Sequence, residues 1–237
     1  MKKPSMILFD YGDTLLYEPD LDGERGMRAV LECAAENPQN VTAQQLFAVS
    51  GQLFFRDCDK VRKLDMEIHN WNMQRLGYEL LGLRFEKSPQ TLEQIFWDAA
   101  CPGERQPNIL PLLDALREKG IRSGVISNIG FCGETLQNRL NRLLPGNPFE
   151  FVIASADYMV RKPDSRLFTL ALLKAGLPAD EVWFCGDSPR CDVRGAASVG
   201  IYPVWYNRNG REESGELPEH LCIKDWAELL AIVKDFA

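Results

Sequence analysis

The chain has 237 residues, 45% of them hydrophobic and 26% charged, enough for one sizeable α/β core and a smaller second unit. Its 27 Lys and Arg against 34 Asp and Glu leave a formal net charge of −7, the wrong sign for wrapping nucleic acid, so any anion has to be held by a local pocket. The seven cysteines are odd in number and lack a CxxC pair, which argues against a disulfide framework and against a zinc site.

At the start, Met1-Lys2-Lys3 resembles the charged end of a signal peptide, but the apolar run Met6–Phe9 is cut short by Asp10, so no export segment is expected. No stretch approaches the ~20 apolar residues that span a bilayer. A cytoplasmic protein with no membrane partner is the expectation.

Met6–Phe9 is the first of five short apolar runs that read as buried parallel strands; the others are Arg122–Ile126, Phe151–Ala154, Val182–Cys185 and Tyr202–Trp205. After the first, residues 17–106 break the pattern and read as helices only. Thr42-x-x-Gln45 forms a capping box before a stripe of Leu46, Val49, Leu53, Val61 and Leu64. Ser88-Pro89 starts another helix, and Phe54, Trp71 and Phe96 are expected to pack between helices. From Ile109 onward, helical patterns at Ile109–Lys119, Glu134–Leu144, Ser165–Ala175 and Arg190–Val199 alternate with the strands, and Gly120 and Gly176 supply helix stops. This is β-α-β alternation around a sheet covered on both faces. The polar stretch Asn207–Glu219 is a loop before a final helix.

In an open parallel sheet, ligands collect beyond the carboxyl ends of the strands, which singles out Asp10, Ser127, Lys162 and Asp187, with Asp192 a few residues on. A carboxylate at position 10 can attack phosphorus and split a hard hydrolysis into two easier steps, although a strand-end aspartate on its own more often serves a turn or a cap. Ser127 and Asn128 can hold a phosphoryl oxygen, or simply begin a loop. Lys162 is kept out of helical conformation by Pro163 and can face the same anion as the next helix N-terminus; a solvated lysine is the plain alternative. In Gly186-Asp187-Ser188-Pro189-Arg190-Cys191-Asp192, Ser188 can cap and Pro189 suits the first helical position, which returns Asp192 toward the sheet mouth. Two unit charges ~4 Å apart cost on the order of 4 kcal/mol at an effective dielectric near ~20. Asp10, Asp187, Asp192 and a phosphate therefore call for a divalent cation, and an all-oxygen set suits magnesium.

Phe9-Asp10-Tyr11-Gly12-Asp13-Thr14-Leu15, Ser127-Asn128, Lys162-Pro163 and Gly186-Asp187-x4-Asp192 resemble the four ordered motifs of the haloacid dehalogenase (HAD) superfamily. The insert resembles that superfamily's first-position (C1-type) helical cap. The resemblance implies an α/β, Rossmann-like parallel-sheet core from residues 1–16 and 107–237, with an all-helical cap at 17–106. It implies Asp10 as nucleophile, Ser127 and Lys162 as phosphoryl-binding catalytic groups beside Asn128, and Mg2+ on Asp10, Asp187 and the backbone carbonyl of Gly12, with Asp192 supporting the metal. The activity implied is that of a phosphoric monoester hydrolase acting on a small phosphorylated metabolite, as a monomer or homodimer.

One position departs from the pattern. Phosphatases of this superfamily usually carry a second aspartate where this chain has Gly12, and that residue serves as acid and base. Asp13 is the substitute if the turn rearranges, but it equally fits an ordinary turn position; His69 or Glu67 from the helical segment are further options, His69 also reading as a surface residue. The rival functions are a metal-independent 2-haloacid dehalogenase, which also lacks the second aspartate but resembles Ser-Asn at the fourth motif, and a non-catalytic phosphoryl-binding module.

Overall fold

The computed structural model describes residues 2–19 and 21–236, the side chains at 53–57 and 59 excepted. In chain order the elements begin with β1 (Met6–Phe9) and β2 (Leu16–Tyr17), then α1 (Gly23–Leu31), β3 (Ala34–Glu36), α2 (Ala43–Arg62), α3 (Asn70–Leu80), β4 (Arg84–Phe85), α4 (Pro89–Ala100) and β5 (Glu104–Arg105). There follow α5 (Ile109–Glu118), β6 (Arg122–Ser127), α6 (Gly133–Leu143), β7 (Phe149–Ala154), α7 (Ser155–Tyr158) and α8 (Ser165–Ala175). The last part holds β8 (Val182–Gly186), a π-helical turn at Pro189–Arg194, α9 (Gly195–Ala197), β9 (Tyr202–Tyr206), β10 (Leu221–Ile223) and α10 (Trp226–Asp235).

Six strands form one parallel sheet in the order β10-β9-β8-β1-β6-β7. All five expected strands are in it, and β10, between the expected loop ending at Glu219 and the final helix, is the sixth. Along β1 the side chains alternate between faces. Ile7 and Phe9 pack with Leu112 and Leu116 of α5, Leu136 and Leu140 of α6 and Leu229 of α10. Met6 and Leu8 face the other way, with Leu167, Phe168 and Ala171 of α8 and Ala196 of α9. All four β1 side chains are wholly buried, each stabilising the fold by roughly 1.5–3 kcal/mol. Such a strand needs both faces covered, and the βαβ connections supply that cover.

Between β2 and β5 the chain is helical apart from one short antiparallel pair, β3 with β4. Its strands have three and two residues, too short to show a period in the sequence. β2 and β5 pair antiparallel where the chain leaves and re-enters the sheet layer. The helices share a core of Met27, Val30, Leu46, Tyr78, Leu83 and Leu92. The Thr42/Gln45 capping box forms in both directions, and Ser88 caps α4 with Pro89 in its first turn. Leu64 does not extend the α2 stripe: it lies past the helix end and is exposed. Leu53 and Phe54 lie outside the described side chains. No helix among the described residues is long and apolar enough to cross a membrane.

Candidate active site

The sheet order reverses at β1, with β6 and β7 on one side and β8, β9 and β10 on the other. A crevice opens at such a switch point, beyond the strand ends. Asp10 stands there, one residue past β1, and its backbone N–H donates to Cys185 O at 2.8 Å, extending the ladder with β8. That bond aims the carboxylate from a fixed backbone.

Lys162 reaches it from the segment before α8. Its Nζ donates to Asp10 Oδ1 at 2.6 Å and lies 2.7 Å from Asp192 Oδ1, with the Phe184 ring 4.9 Å away. The side chain is 1% exposed. Burial disfavours its charge, but Asp10 and Asp192 outweigh burial and hold the ammonium pKa above its ordinary value. Asn128 fixes the lysine backbone: its Nδ2 donates to Lys162 O at 2.8 Å and its Oδ1 accepts from Lys162 N at 2.7 Å. Thus the Asn128 amide positions Lys162, while the residue also lines the cavity.

Asp187 follows β8, and Asp192 sits in the π-helical turn that Ser188 caps through Cys191 N. Asp192 Oδ2 accepts from Ser188 N at 2.9 Å, which folds it back over the strand end. Gly186 permits this, because a Cβ there would meet the Asp192 side chain. Carboxylate oxygens of Asp10, Asp187 and Asp192 lie within 4.8 Å of one another. Burial raises the Asp10 pKa to about 6 despite Lys162, and Asp192 adds to the rise. Asp187 is pushed up to about 7, first by burial and then by Asp10, Asp192 and Asp13, with Arg211 opposing. One buried ammonium does not balance three acids. The donor set is hard, anionic and short of positive charge, which fits a magnesium-type cation.

Eight of the residues singled out from the sequence line a single cavity of about 420 Å³: Asp10, Gly12, Asp13, Ser127, Asn128, Lys162, Asp187 and Asp192. Asp13 is exposed and adopts a positive φ of 57°, the conformation of the ordinary turn reading. His69 and Glu67 are absent from the lining. His69 is buried rather than on the surface, its imidazole stacks on Trp71, and burial lowers its pKa to about 4. Glu67 is buried against Arg161, Arg62 and the Ser155 hydroxyl. Neither is placed to protonate a leaving group in this cavity.

Two charged lining residues, Glu18 and Arg161, carry no role in the sequence reading. Glu18 Oε1 accepts from Tyr11 Oη at 2.7 Å and Trp97 Nε1 at 2.8 Å and lies 3.1 Å from Arg139, which fixes its carboxylate in the cavity wall. Nothing in the local sequence of Glu18 points to the site, because its partners are distant in the chain. Arg161 had a signal, a second basic residue directly before Lys162.

A family model described as haloacid dehalogenase-like hydrolase matches residues 90–205. Phosphoserine phosphatase of Thermus thermophilus is 38% identical over 81 residues, 34% of this chain and 32% of that protein. Pyrimidine 5'-nucleotidase YjjG of Escherichia coli is 29% identical over 148 residues, 62% of this chain and 64% of that protein. The chain therefore spans between a third and two thirds of these curated relatives. In fold it resembles a solved 2-haloacid dehalogenase from Pseudomonas syringae, with a TM-score of 0.68 at 22% identity and full coverage of both chains. With family match, sheet topology and motif order in agreement, the chain belongs to the haloacid dehalogenase superfamily of hydrolases.

Proposed function

We propose that this hydrolase is a Mg2+-dependent phosphatase of small phosphorylated metabolites, with Asp10 as nucleophile and helices α1–α4 as a cap over the cavity. The observation that carries the reading is the grouping of Asp10, Asp187 and Asp192 within 4.8 Å around a lysine too weak in charge to neutralise them. A metal-free dehalogenase has no evident use for Asp187. Relatives named as phosphatases and as a nucleotidase are compatible with this choice, and relatives named as (S)-2-haloacid dehalogenases stand beside them.

Asp10, Asp187, Asp192 and the carbonyl of Gly12 would hold Mg2+, which supplies charge neutralisation at the phosphoryl oxygens. The chain's own groups do the rest. A carboxylate oxygen of Asp10 forms a bond to phosphorus as the ester P–O bond breaks, giving an aspartyl-phosphate and a leaving oxyanion that takes its proton from water. Lys162 and Ser127 bind the transferring oxygens, and Asn128 keeps the lysine in place. Water then cleaves the aspartyl-phosphate to return Asp10 and release phosphate.

Gly12 offers no acid to the leaving oxygen. Substrates whose leaving groups are stable as anions are therefore expected to turn over fastest: acetyl phosphate and p-nitrophenyl phosphate well ahead of alkyl phosphates. The direct test is phosphate release from p-nitrophenyl phosphate with Mg2+. Asp10→Asn should abolish it while the far-UV circular dichroism stays unchanged. Absence of turnover across a broad ester panel, with Mg2+ still bound, would favour a binding module.

The glycine at position 12 also supports a second reading, haloacid dehalogenase, since that activity needs no acid there. Halide release from 2-haloacids in EDTA, unmatched by phosphate release with Mg2+, would establish it instead.

A further inference from the structure

Away from the cavity, His69, Glu93 and Cys132 meet where the helical layer packs on the sheet layer. All three are buried, and their ligand atoms lie within 4.8 Å of one another. They come from separate elements: His69 precedes α3, Glu93 lies in α4, and Cys132 caps α6. An imidazole, a carboxylate and a thiol are a costly set to bury together unless something gathers their lone pairs.

Hydrogen bonds within the protein leave this cluster incomplete. Glu93 is fully buried; its Oε2 accepts from Cys132 N at 3.0 Å, while Oε1 has no hydrogen-bond partner. Oε1 faces His69 Nδ1 at 3.6 Å, long for a hydrogen bond but matching the roughly 3.5 Å that separates two ligands of one tetrahedral zinc ion. Nδ1 otherwise accepts only a long bond of 3.4 Å from Trp71 N. The other ring nitrogen, Nε2, is buried without a hydrogen-bond partner and looks toward Asp157 Oδ1 at 4.0 Å. A histidine whose second N–H points to a carboxylate is the usual support of a zinc-ligating imidazole. Cys132 Sγ sits at the N-terminus of the 11-residue α6, accepts from Thr135 N and lies 3.1 Å from Thr135 Oγ1; burial and Glu93 raise its thiol pKa, so thiolate forms there as a bound cation displaces the proton.

We infer that His69, Glu93 and Cys132 form a three-ligand zinc site with its fourth position left to a non-protein ligand, distinct from the carboxylate site at the sheet mouth, that staples α3 and α4 to α6. Charge agrees: thiolate and carboxylate together offset one divalent ion. Ligand type separates the two sites, because sulfur and nitrogen donors select zinc while magnesium keeps to oxygen. The three ligands come singly from three elements, so no CxxC pair marks them in the sequence. The Asn70 N–H bond to Gly130 O, 2.7 Å, crosses the same boundary beside the cluster, so the ion would reinforce an existing junction.

The test is a Co2+ titration of the reduced, full-length protein with excess Mg2+ occupying the carboxylate site. Expected is a near-ultraviolet thiolate-to-cobalt band saturating at one ion per chain, bleached by Zn2+ and missing in Cys132→Ser. Glu93→Gln keeps the acceptor for Cys132 N, and should weaken Zn2+ at least about tenfold. No thiolate band in the wild type, or an undiminished band in Cys132→Ser, would overturn the site. If Cys132→Ser fails to fold, the wild-type rise in Tm on adding Zn2+ decides: lost in Glu93→Gln it supports the site, retained there it overturns it.

Discussion

Asn128 makes no contact with either acid, yet both hydrogen bonds of its amide go to the backbone of Lys162. Asn128→Ala should cost about 2 kcal/mol of stability, at roughly 1 kcal/mol per bond. It should also lower kcat at least about tenfold with little change in KM, because a misplaced ammonium stabilises the transition state less; steady-state kinetics and chemical denaturation check both. Asp187 gives a pH signature. Its pKa rises from 3.8 to about 7 on folding, so the folded state holds the proton more tightly than the unfolded chain. The resulting stabilisation is complete below the unfolded value and disappears as pH climbs through about 7. In EDTA, stability should fall by a few kcal/mol over that window, and Asp187→Asn or added Mg2+ should flatten the curve. At this scale the sequence was legible in the acids and the lysine, which stand at strand ends where a glance along the chain finds them. It was opaque for Asn128 and Glu18, whose roles depend on partners remote in the chain.

Among the elements, β8 and the π-helical turn after it meet closely enough to restrict the residue between them. Gly186 ends β8 directly under the Asp192 side chain. Gly186→Ala should displace Asp192, costing about 1–3 kcal/mol by overpacking and lowering Mg2+ affinity; isothermal calorimetry and thermal unfolding would show both effects together. The five expected strands were readable because each is an apolar run closed by small or polar residues. β10 was not: Leu221-Cys222-Ile223 has three residues and only Ile223 fully buried, leaving too little pattern to separate it from the preceding loop. The turn at Pro189–Arg194 was read as plain helix because a π turn differs in backbone pairing, not in side-chain period.

For the molecule as a whole, Arg139 is the deepest tie between the layers. Wholly buried on α6, it donates to Tyr11 Oη at 2.7 Å and Cys101 O at 2.8 Å and stacks its guanidinium 4.3 Å from the Trp97 ring centroid. Arg139→Met removes the bonds to Tyr11 Oη and Cys101 O and should destabilise the protein by about 2–4 kcal/mol, read as a lower denaturation midpoint. The overall α/β plan followed from alternation, but how the helical segment is bolted to the sheet did not, since Arg139 looks in sequence like any helix-surface arginine. The position of β1 has a separate cost during synthesis. Its partners are β6, through Met6 and Arg122, and β8, through Met6 and Val182. A nascent chain therefore carries Met6-Ile7-Leu8-Phe9 out of the ribosome with neither neighbour yet made, and one edge stays bare until translation has passed Gly186. That long wait makes the opening segment a natural binding stretch for chaperones that recognise short apolar peptides.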